Sequence, residues 1–365
     1  MVEKGATAPS GVHRYAANVL KALRTAPQVD ELVLLTHGNL RIGEFLAADD
    51  LDGVEVVSYR PWRDNAIAAQ AWHLVVLPRL AHQHRLDLLH VANGRPSRSA
   101  GIPLLVTLHD LAELEIQGKF DPLRLAYRRW VQYPFMRRQH ILLTVSTNAQ
   151  CDIARHLDRD PASVVVIPNY ALAATRRCSE NDMLGDLLYV GRIDHPSKNL
   201  LLLIEAFDRF ANEVPGVRLR LVGTDSWSAS SVHAAAEAAR HADRIDFLGW
   251  VNDQELARLL GTASALCQPS LHEGFGLPVA EALAHHTPVF AADAGALPEV
   301  LGTRNGLLPA DDPNIWADAM VHLYRSPNRR AELLADQLMH QIGGDRAQAR
   351  VARLLVSAYE SALAD

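Results

Sequence analysis

The sequence has little of what marks disulfide-stabilised, metal-binding or membrane-spanning proteins. Its 365 residues include three cysteines without paired spacing, which argues against a disulfide framework and a zinc site and fits a reducing compartment. The first residues, Met1–Gly5, have no apolar core of a signal peptide. The best apolar run, Leu74–Leu80, is too short to span a bilayer and contains a proline and an arginine. We therefore expect a cytoplasmic protein that, if it works at a membrane, lies on its inner face.

Bulk positive charge and the common nucleotide-binding loops are missing as well. With 36 basic and 42 acidic residues the net charge is −6, so we expect no nucleic-acid partner. There is no Walker loop, and Gly274-Phe275-Gly276 is only a partial dinucleotide fingerprint, since the third small residue is absent. The 17 histidines show no metal-ligand spacing, so we expect neither a metal nor a cofactor.

What the sequence does contain is a regular alternation of short apolar strands and helices. A chain of this length, 48% hydrophobic, is too long for one ordinary core and predicts two domains. Strands that are apolar on both faces and alternate with helices predict parallel sheets covered by helices. The pattern stops in the polar stretch 171–185, which we interpret as a linker, and then restarts. We predict an α/β protein with two Rossmann-like, doubly wound domains, 1–175 and 176–345, facing a central cleft, and a last helix at 346–365.

One stretch of the second half, His272–Ala284, places Glu273 and Glu281 on either side of a glycine-containing turn. A short apolar strand precedes the turn, and Pro278 stands where a helix would begin. The amides at such a helix start lack intrahelical partners and form a seat for an anion such as a diphosphate. We place Glu281 in the first helical turn, where it could accept hydrogen bonds from two sugar hydroxyls. A phosphate seat between two carboxylates indicates a nucleotide-sugar site.

Two cations, Arg192 and Lys198, follow the first strand of the second half. Beside a phosphate seat they could neutralise the charge of a departing diphosphate. Two solvated surface cations are the usual interpretation of such a pair, but the position at a strand end favours function. In the first half His109 ends a buried strand, where it could bond a sugar hydroxyl or simply cap the strand. Gly11 opens the first helix and could allow close approach of a ligand, or be an ordinary turn glycine.

The segment 122–138 interleaves five arginines with four aromatic residues. One interpretation is a patch for anionic lipid or a pyrophosphate-linked acceptor, which would give peripheral membrane contact. The other is a packed helix with a solvated basic face, and the ordinary overall charge favours this second interpretation.

These motifs resemble those of the retaining glycosyltransferases of family 4, which have the GT-B fold. The resemblance covers nearly the whole chain and is most specific in the second half. The matching elements are Gly191-Arg192 with Lys198-Asn199, Val222-Gly223, Phe247-Leu248-Gly249, the stretch from Glu273 to Glu281, and Pro298-Glu299-Val300.

The resemblance implies roles for these residues. Glu281 would bind the ribose of the nucleotide and Glu273 the transferring sugar, while the diphosphate would be held by the two cations. The predicted catalytic set is His109, Arg192, Lys198 and Glu273. The predicted donor-binding set is Gly11, Gly223, Phe275, Gly276, Leu277 and Glu281. The last helix would cross back onto the first domain.

The reaction implied is transfer of a hexose from a GDP- or UDP-linked sugar to a hydroxyl of a glycan or lipid-linked saccharide, with retention and without a metal. The stretch Leu108–Leu111 looks like that of members which use GDP-mannose or a related donor for surface polysaccharides. Two alternatives stay open. One is a sugar-nucleotide binding protein without catalysis, and the other, with less support, is an NAD-dependent oxidoreductase.

The chain departs from the family pattern in three places. Only ten residues precede Gly11, without a strand pattern, so either the chain starts late or the first sheet lacks a strand. His286 stands where the family has glycine, which would cost about 1 kcal/mol if the position is left-handed. Tyr170 also replaces a frequent glycine.

Overall fold

The structure is a computed structural model of the chain. It describes residues 11–37, 43, 46–59, 70–116, 122–139, 141–171, 185–326, 328–339 and 344–364. The residues before Gly11 and most of the predicted linker therefore lie outside the described residues. In the described part of the chain, no helix combines the length and the apolar character that a membrane span requires.

The chain divides into two compact units. The first unit consists of residues 1–111, 120–169 and 346–365, and the second of residues 112–119 and 170–345. The boundary after Asn169 lies a few residues before the one predicted from composition.

The strands of the first unit form two separate parallel sheets. One sheet contains β1 (Leu32–His37) beside β2 (Val54–Tyr59). The other has the order β3-β4-β5-β6, with the bounds Leu89–Val91, Leu104–Thr107, Leu142–Thr144 and Val164–Val166. The strands are short. Those of the four-stranded sheet are mostly buried, as the apolar runs predict, whereas the described side chains of β1 and β2 are half-buried or exposed except for Thr36.

Helices cover these sheets. In chain order those of the first unit are α1 (Gly11–Arg24), α2 (Leu77–Gln83), α4 (Pro122–Tyr127), α5 (Tyr133–Arg137) and α6 (Thr147–Leu157), while the short helix α3 (Ala112–Glu115) is grouped with the second unit. The first buries Tyr15, Val19 and Leu23 on one face, as its spacing predicts. A π-helical turn precedes α2 at Trp72–Val76, and another joins α4 to α5 at Arg128–Gln132.

A cavity of about 500 Å³ lies between β1 and β3. Consecutive residues of both strands line it, from Asp30 to Thr36 and from Leu88 to Asn93. Successive side chains of a strand point to opposite faces, so an unbroken run of lining residues means that each strand presents its edge to the cavity. The two sheets of the first unit thus face each other edge to edge across this space.

The second unit has one parallel six-stranded sheet in the order β12-β11-β10-β7-β8-β9. In chain order β7 to β12 span Leu187–Val190, Leu219–Val222, Ile245–Gly249, Ala265–Gln268, Val289–Ala292 and Leu307–Leu308. Its helices are α7 (Leu200–Glu213), α8 (Ala229–Ala238), α9 (Asp253–Thr262), α10 (Leu277–Ala284), α11 (Leu297–Leu301), α12 (Pro313–Arg325) and α13 (Arg329–Leu338). The strand order reverses between β7 and β10, which makes their carboxyl ends a topological switch point where ligands bind in open sheets.

The last helix, α14 (Gly344–Ala364), groups with the first unit from Arg346 onwards. The amide of Gln348 donates to the Lys21 carbonyl of α1 at 3.0 Å. The Tyr359 hydroxyl lies 2.7 Å from Nδ1 of His90, whose Nε2 lies 2.7 Å from the Thr107 hydroxyl. A buried polar network therefore joins this helix to β3 and β4.

The helix α10 ends in a left-handed residue that is not glycine. His286 has φ 58°, the conformation that the family glycine would adopt most easily. The Cβ atom of a non-glycine residue is strained there. The chain keeps the turn by hydrogen bonds, among them one of 2.9 Å from the Thr287 amide to the Ala282 carbonyl.

We predict that His286→Gly raises the free energy of unfolding by about 1 kcal/mol, because it removes the left-handed strain. The control is His285→Gly, since His285 has φ −91° and gains nothing from glycine. Urea denaturation of both variants checks this. A loss of stability in the His286 variant equal to that of the control would contradict it.

We also predict a pH dependence that originates at His90. Burial, and to a smaller extent the nearby His109, lowers the pKa of His90 from 6.5 to about 4. Between about pH 6.5 and pH 4 this histidine binds a proton in the unfolded chain but not in the folded chain. The free energy of unfolding therefore falls as the pH drops through this range. Because His90 keeps some exposed surface, we expect its protonation to lower the free energy of unfolding by about 2 kcal/mol over this range.

The variant His90→Gln retains hydrogen-bonding groups but cannot titrate. Its free energy of unfolding should fall less steeply between pH 6.5 and pH 4 than that of the unchanged protein. Parallel slopes for the two proteins in denaturant titrations would assign the acid sensitivity to other groups.

Candidate functional site

The turn between β10 and α10 is built to present a helix N-terminus. Gly276 has φ 95° at the N-cap, and a Cβ atom there would lie 2.8 Å from Leu297 Cδ2. The helix begins at Leu277 with Pro278 next, where the missing N–H of proline is harmless. The first amides of a helix have no intrahelical acceptor, so this end favours an anion.

The position of Pro278 predicted that Glu281 lies in the first turn of α10. The structure does not place it there. The first turn contains no acidic residue, because the helix begins one residue earlier, at Leu277. Glu281 is half-buried in the second turn. Its predicted ribose contact stays a prediction, but the favourable interaction with the amides of the first turn no longer supports it.

Glu273 and Lys198 form the central contact of the site. Lys198 Nζ lies 2.5 Å from Glu273 Oε1, and the two side chains are only 14% and 15% exposed. The amide of Gln268 donates to the same carboxylate oxygen at 3.1 Å. Gln268 ends β10 and is fully buried. Burial strengthens such charge-assisted hydrogen bonds and makes a lone charge costly, so the three side chains depend on one another.

Loops from other strands fix the backbone of this carboxylate. Gly295 has φ 57°, and a Cβ atom there would lie 2.8 Å from the Glu273 amide nitrogen. The next residue, Ala296, donates its amide to the Glu273 carbonyl at 3.2 Å. The Leu271 amide donates to the Ser197 carbonyl at 3.0 Å, which ties the loop after β10 to the loop after β7.

Arg192 lies close to the buried carboxylate of Asp194. Its Nε is 3.7 Å from Asp194 Oδ2, and its side chain is 51% exposed. The backbone beneath it is held by the hydroxyl of Tyr189, which donates to the Arg192 carbonyl at 2.9 Å. Burial, then the negative charges of Glu273 and Asp194, raise the pKa of Tyr189 well above its ordinary value. That tyrosine is therefore a neutral donor beside both carboxylates.

Gly223 has a clear structural reason to be glycine. Its φ is 149°, and a Cβ atom there would lie 1.8 Å from the Gly191 carbonyl oxygen. The two loops that follow β7 and β8 therefore touch through their backbones. The predicted donor contact of Gly223 stays a prediction beside this packing role.

Two predicted residues, His109 and Gly11, belong to the first unit. His109 Nε2 lies 2.8 Å from the Ala92 carbonyl, which can only accept, so Nε2 carries a proton. The edge of its ring meets the ring of Tyr15 with centroids 4.8 Å apart. Gly11 is the first residue of α1 and is exposed, and a Cβ atom there would meet no atom within 4 Å.

The structure thus brings Lys198 and Glu273 into contact, and it adds three residues that the sequence did not single out. These are Asp194, Gln268 and Gly295. A polar residue at the end of a buried strand was the available signal for Gln268. Among the described residues no cluster of three or more His, Cys, Asp or Glu side chains could hold a metal ion. The expectation that no metal is required stays a prediction.

Two family models match consecutive parts of the chain. Glycosyltransferase Family 4 matches residues 9–170, and Glycosyl transferases group 1 matches residues 185–326. The chain belongs to these glycosyltransferases. The resemblance that its motifs suggested is confirmed, and membership favours a transferase over the oxidoreductase alternative.

Curated relatives of this glycosyltransferase include two mannosyltransferases. The MMP α-(1→4)-mannosyltransferase of Mycolicibacterium hassiacum is 30% identical over 277 residues, which are 72% of this chain and 66% of that protein. The O-antigen chain mannosyltransferase B of Escherichia coli is 25% identical over 87% of each chain. Among solved structures, HepE of Anabaena in complex with UDP and glucose has a TM-score of 0.76 at 18% identity, over 99% of this chain and 98% of that one. The shared fold is GT-B, as predicted.

A double-mutant cycle should show that this glycosyltransferase depends on the Lys198–Glu273 pair. Either Lys198→Met or Glu273→Gln leaves a mostly buried group without its partner, so we expect a coupling free energy of about 2 kcal/mol. Urea denaturation of the two single variants and the double variant measures it.

The matched control is the Arg209–Glu205 pair. It has the same N–O distance of 2.5 Å, but its side chains are 43% and 56% exposed. Its cycle should give about 0.5 kcal/mol or less. Equal coupling in the two pairs would show that burial adds nothing at the site.

Proposed function

We propose that this glycosyltransferase moves a hexose from a nucleotide sugar to a hydroxyl acceptor, with retention of configuration and without a metal. The observation that carries the proposal is the Lys198–Glu273 pair at the topological switch point of the second sheet, in the loops after β7 and β10. The cation and the helix N-terminus suit the diphosphate of a nucleotide sugar, and the carboxylate suits a hydroxyl of its sugar.

The diphosphate is the part of the donor that these groups suit best. Its charge would be neutralised by Lys198 and Arg192 and by the first amides of α10. The half-exposed guanidinium of Arg192 can reach a ligand. The carboxylate of Asp194 holds the Nε end of that guanidinium in place. Stabilisation of the leaving diphosphate by fixed cations and amides needs no metal ion in principle, and this supports the metal-independent reaction.

Donor binding would change the partners of the central pair. A diphosphate next to Lys198 competes with Glu273 for the ammonium group, because its two phosphates together carry two negative charges and the carboxylate carries one. Glu273 stays oriented through the Gln268 amide, and its carboxylate can then accept from a sugar hydroxyl. The proposal thus gives Lys198 and Glu273 separate roles in the complex although they contact each other in its absence.

Mannose is the sugar to test first, since two of the curated relatives, those of Mycolicibacterium hassiacum and Escherichia coli, are named as mannosyltransferases. We propose a GDP- or UDP-linked donor and a glycan or lipid-linked saccharide as acceptor. His109 is proposed to bond a hydroxyl of the transferring sugar. Glu281 is proposed to bind the ribose of the nucleotide.

A thermal-shift panel of GDP-, UDP- and dTDP-linked sugars, followed by a transfer assay, tests the function. We expect stabilisation by one nucleotide sugar and transfer that persists in EDTA. Lys198→Ala should lower kcat/KM by about 10²-fold or more, since it removes a cation that stabilises leaving-group charge.

The control is Lys21→Ala, which breaks another partly buried ion pair, with Asp50 at 3.0 Å, in the first unit. It should keep transfer near the level of the unchanged protein. Stabilisation by a donor without hydrolysis or transfer would favour the non-catalytic binding protein. An absence of stabilisation by every nucleotide sugar would refute the donor assignment.

A further inference from the structure

The hydroxyl of Tyr189 lies beneath the loop that carries Arg192. Tyr189 belongs to β7, and its side chain is fully buried. Its hydroxyl reaches the chain three residues further on, where it donates to the Arg192 carbonyl at 2.9 Å. A Cβ atom at Gly191 would lie 2.6 Å from the hydroxyl oxygen. The glycine of the Gly191-Arg192 motif therefore makes room for the group that holds the next residue.

The peptide group that links Arg192 to Ile193 is held on two sides. Its N–H belongs to Ile193 and donates to the Thr224 carbonyl at 3.0 Å, in the loop after β8. Its carbonyl belongs to Arg192 and accepts from Tyr189. Two hydrogen bonds on opposite sides of one peptide fix the orientation of its plane, and with it the direction in which the Arg192 side chain leaves the backbone.

The side chain of Arg192 depends on this backbone because little else restrains it. It is 51% exposed, and its Nε lies 3.7 Å from Asp194 Oδ2, a distance longer than a good hydrogen bond. A long and half-exposed side chain has many rotamers, and ordering it for a ligand costs entropy. A fixed starting point reduces the number of arrangements that the guanidinium samples, which preorganises it for an anion.

We propose that Tyr189 is a positioning residue for the transfer reaction, and that its hydroxyl sets the backbone from which Arg192 reaches the diphosphate. The inference rests on the proposed function, in which Arg192 neutralises charge on the leaving diphosphate. It adds a group that does not touch the donor and acts only through the arginine. Because negative charge on the diphosphate grows towards the transition state, a misplaced guanidinium lowers kcat more than it raises KM.

Hydrogen exchange of the full chain without any ligand tests whether the hydroxyl holds the loop. The variant Tyr189→Phe keeps the ring and removes only the hydroxyl. We expect the Ile193 amide to exchange about fivefold faster, since its peptide loses one of two hydrogen bonds. The same exchange rate in the variant and the unchanged protein would overturn the proposal.

The matched control is Tyr324→Phe. The Tyr324 hydroxyl also donates to a backbone carbonyl, that of Gly185, which lies ahead of β7 at the opposite end of the same strand. This variant should leave the exchange of the Ile193 amide unchanged. Circular dichroism of both variants establishes that they are folded.

Calorimetric titration with inorganic diphosphate tests whether the hydroxyl acts through the arginine. Tyr189→Phe should weaken binding about fivefold, and Tyr324→Phe should not weaken it. In a protein that already carries Arg192→Ala, Tyr189→Phe should cause no further loss. Equal losses with and without the arginine would give Tyr189 a merely structural role and would overturn the proposal.

A transfer assay with the nucleotide sugar that stabilises the protein completes the test. In Tyr189→Phe we expect kcat to fall about fivefold while KM changes by less than about twofold. If the unchanged protein binds no diphosphate, the proposed function fails and the role of Tyr189 fails with it. If the unchanged protein binds diphosphate and transfers the sugar, but Tyr189→Phe behaves as Tyr324→Phe does, only the role of Tyr189 is refuted.

Discussion

The carboxylate of Glu273 can remain charged in its nearly buried position only while cationic and polar donors face it. Lys198 and Gln268 supply them, and both contact the same oxygen. A buried charge without partners is far more costly than any one of these contacts is favourable. Two loops and one strand end meet at this carboxylate. The loop after β7 brings the lysine, β10 ends in the glutamine, and the loop after β11 approaches through Gly295.

The same constraint explains why small residues recur at this end of the second sheet. Gly223 lets one backbone touch another, and Gly295 lets a loop lie against the Glu273 amide. A side chain at Gly223 would displace the loop that carries Lys198, and one at Gly295 would displace the backbone of Glu273. The chemistry of the site therefore depends on residues that bear no functional group. Substitution of one of these glycines would lower activity in the same way as substitution of a charged residue.

Most of the fold could be predicted from the sequence because short strands apolar on both faces leave few alternatives to covered parallel sheets. Lys198 and Glu273 could be predicted as site residues for a related reason, since both follow strand ends near recognisable glycine turns. Gln268 and Asp194 were not, because a single polar residue in or after an apolar strand carries no periodic signal. For the segment 122–138 the overall charge favoured a packed helix but did not say which aromatic side chains it buries, and Trp130 is exposed while Tyr133 is buried.

The cavity between β1 and β3 has a consequence for the behaviour of the protein in solution. A strand edge carries backbone donors and acceptors in a row, and any extended chain that reaches it can pair with them. Two such edges face one space, so a single inserted strand could bridge both sheets of the first unit. An inserted strand would meet six residues of one edge and three of the other.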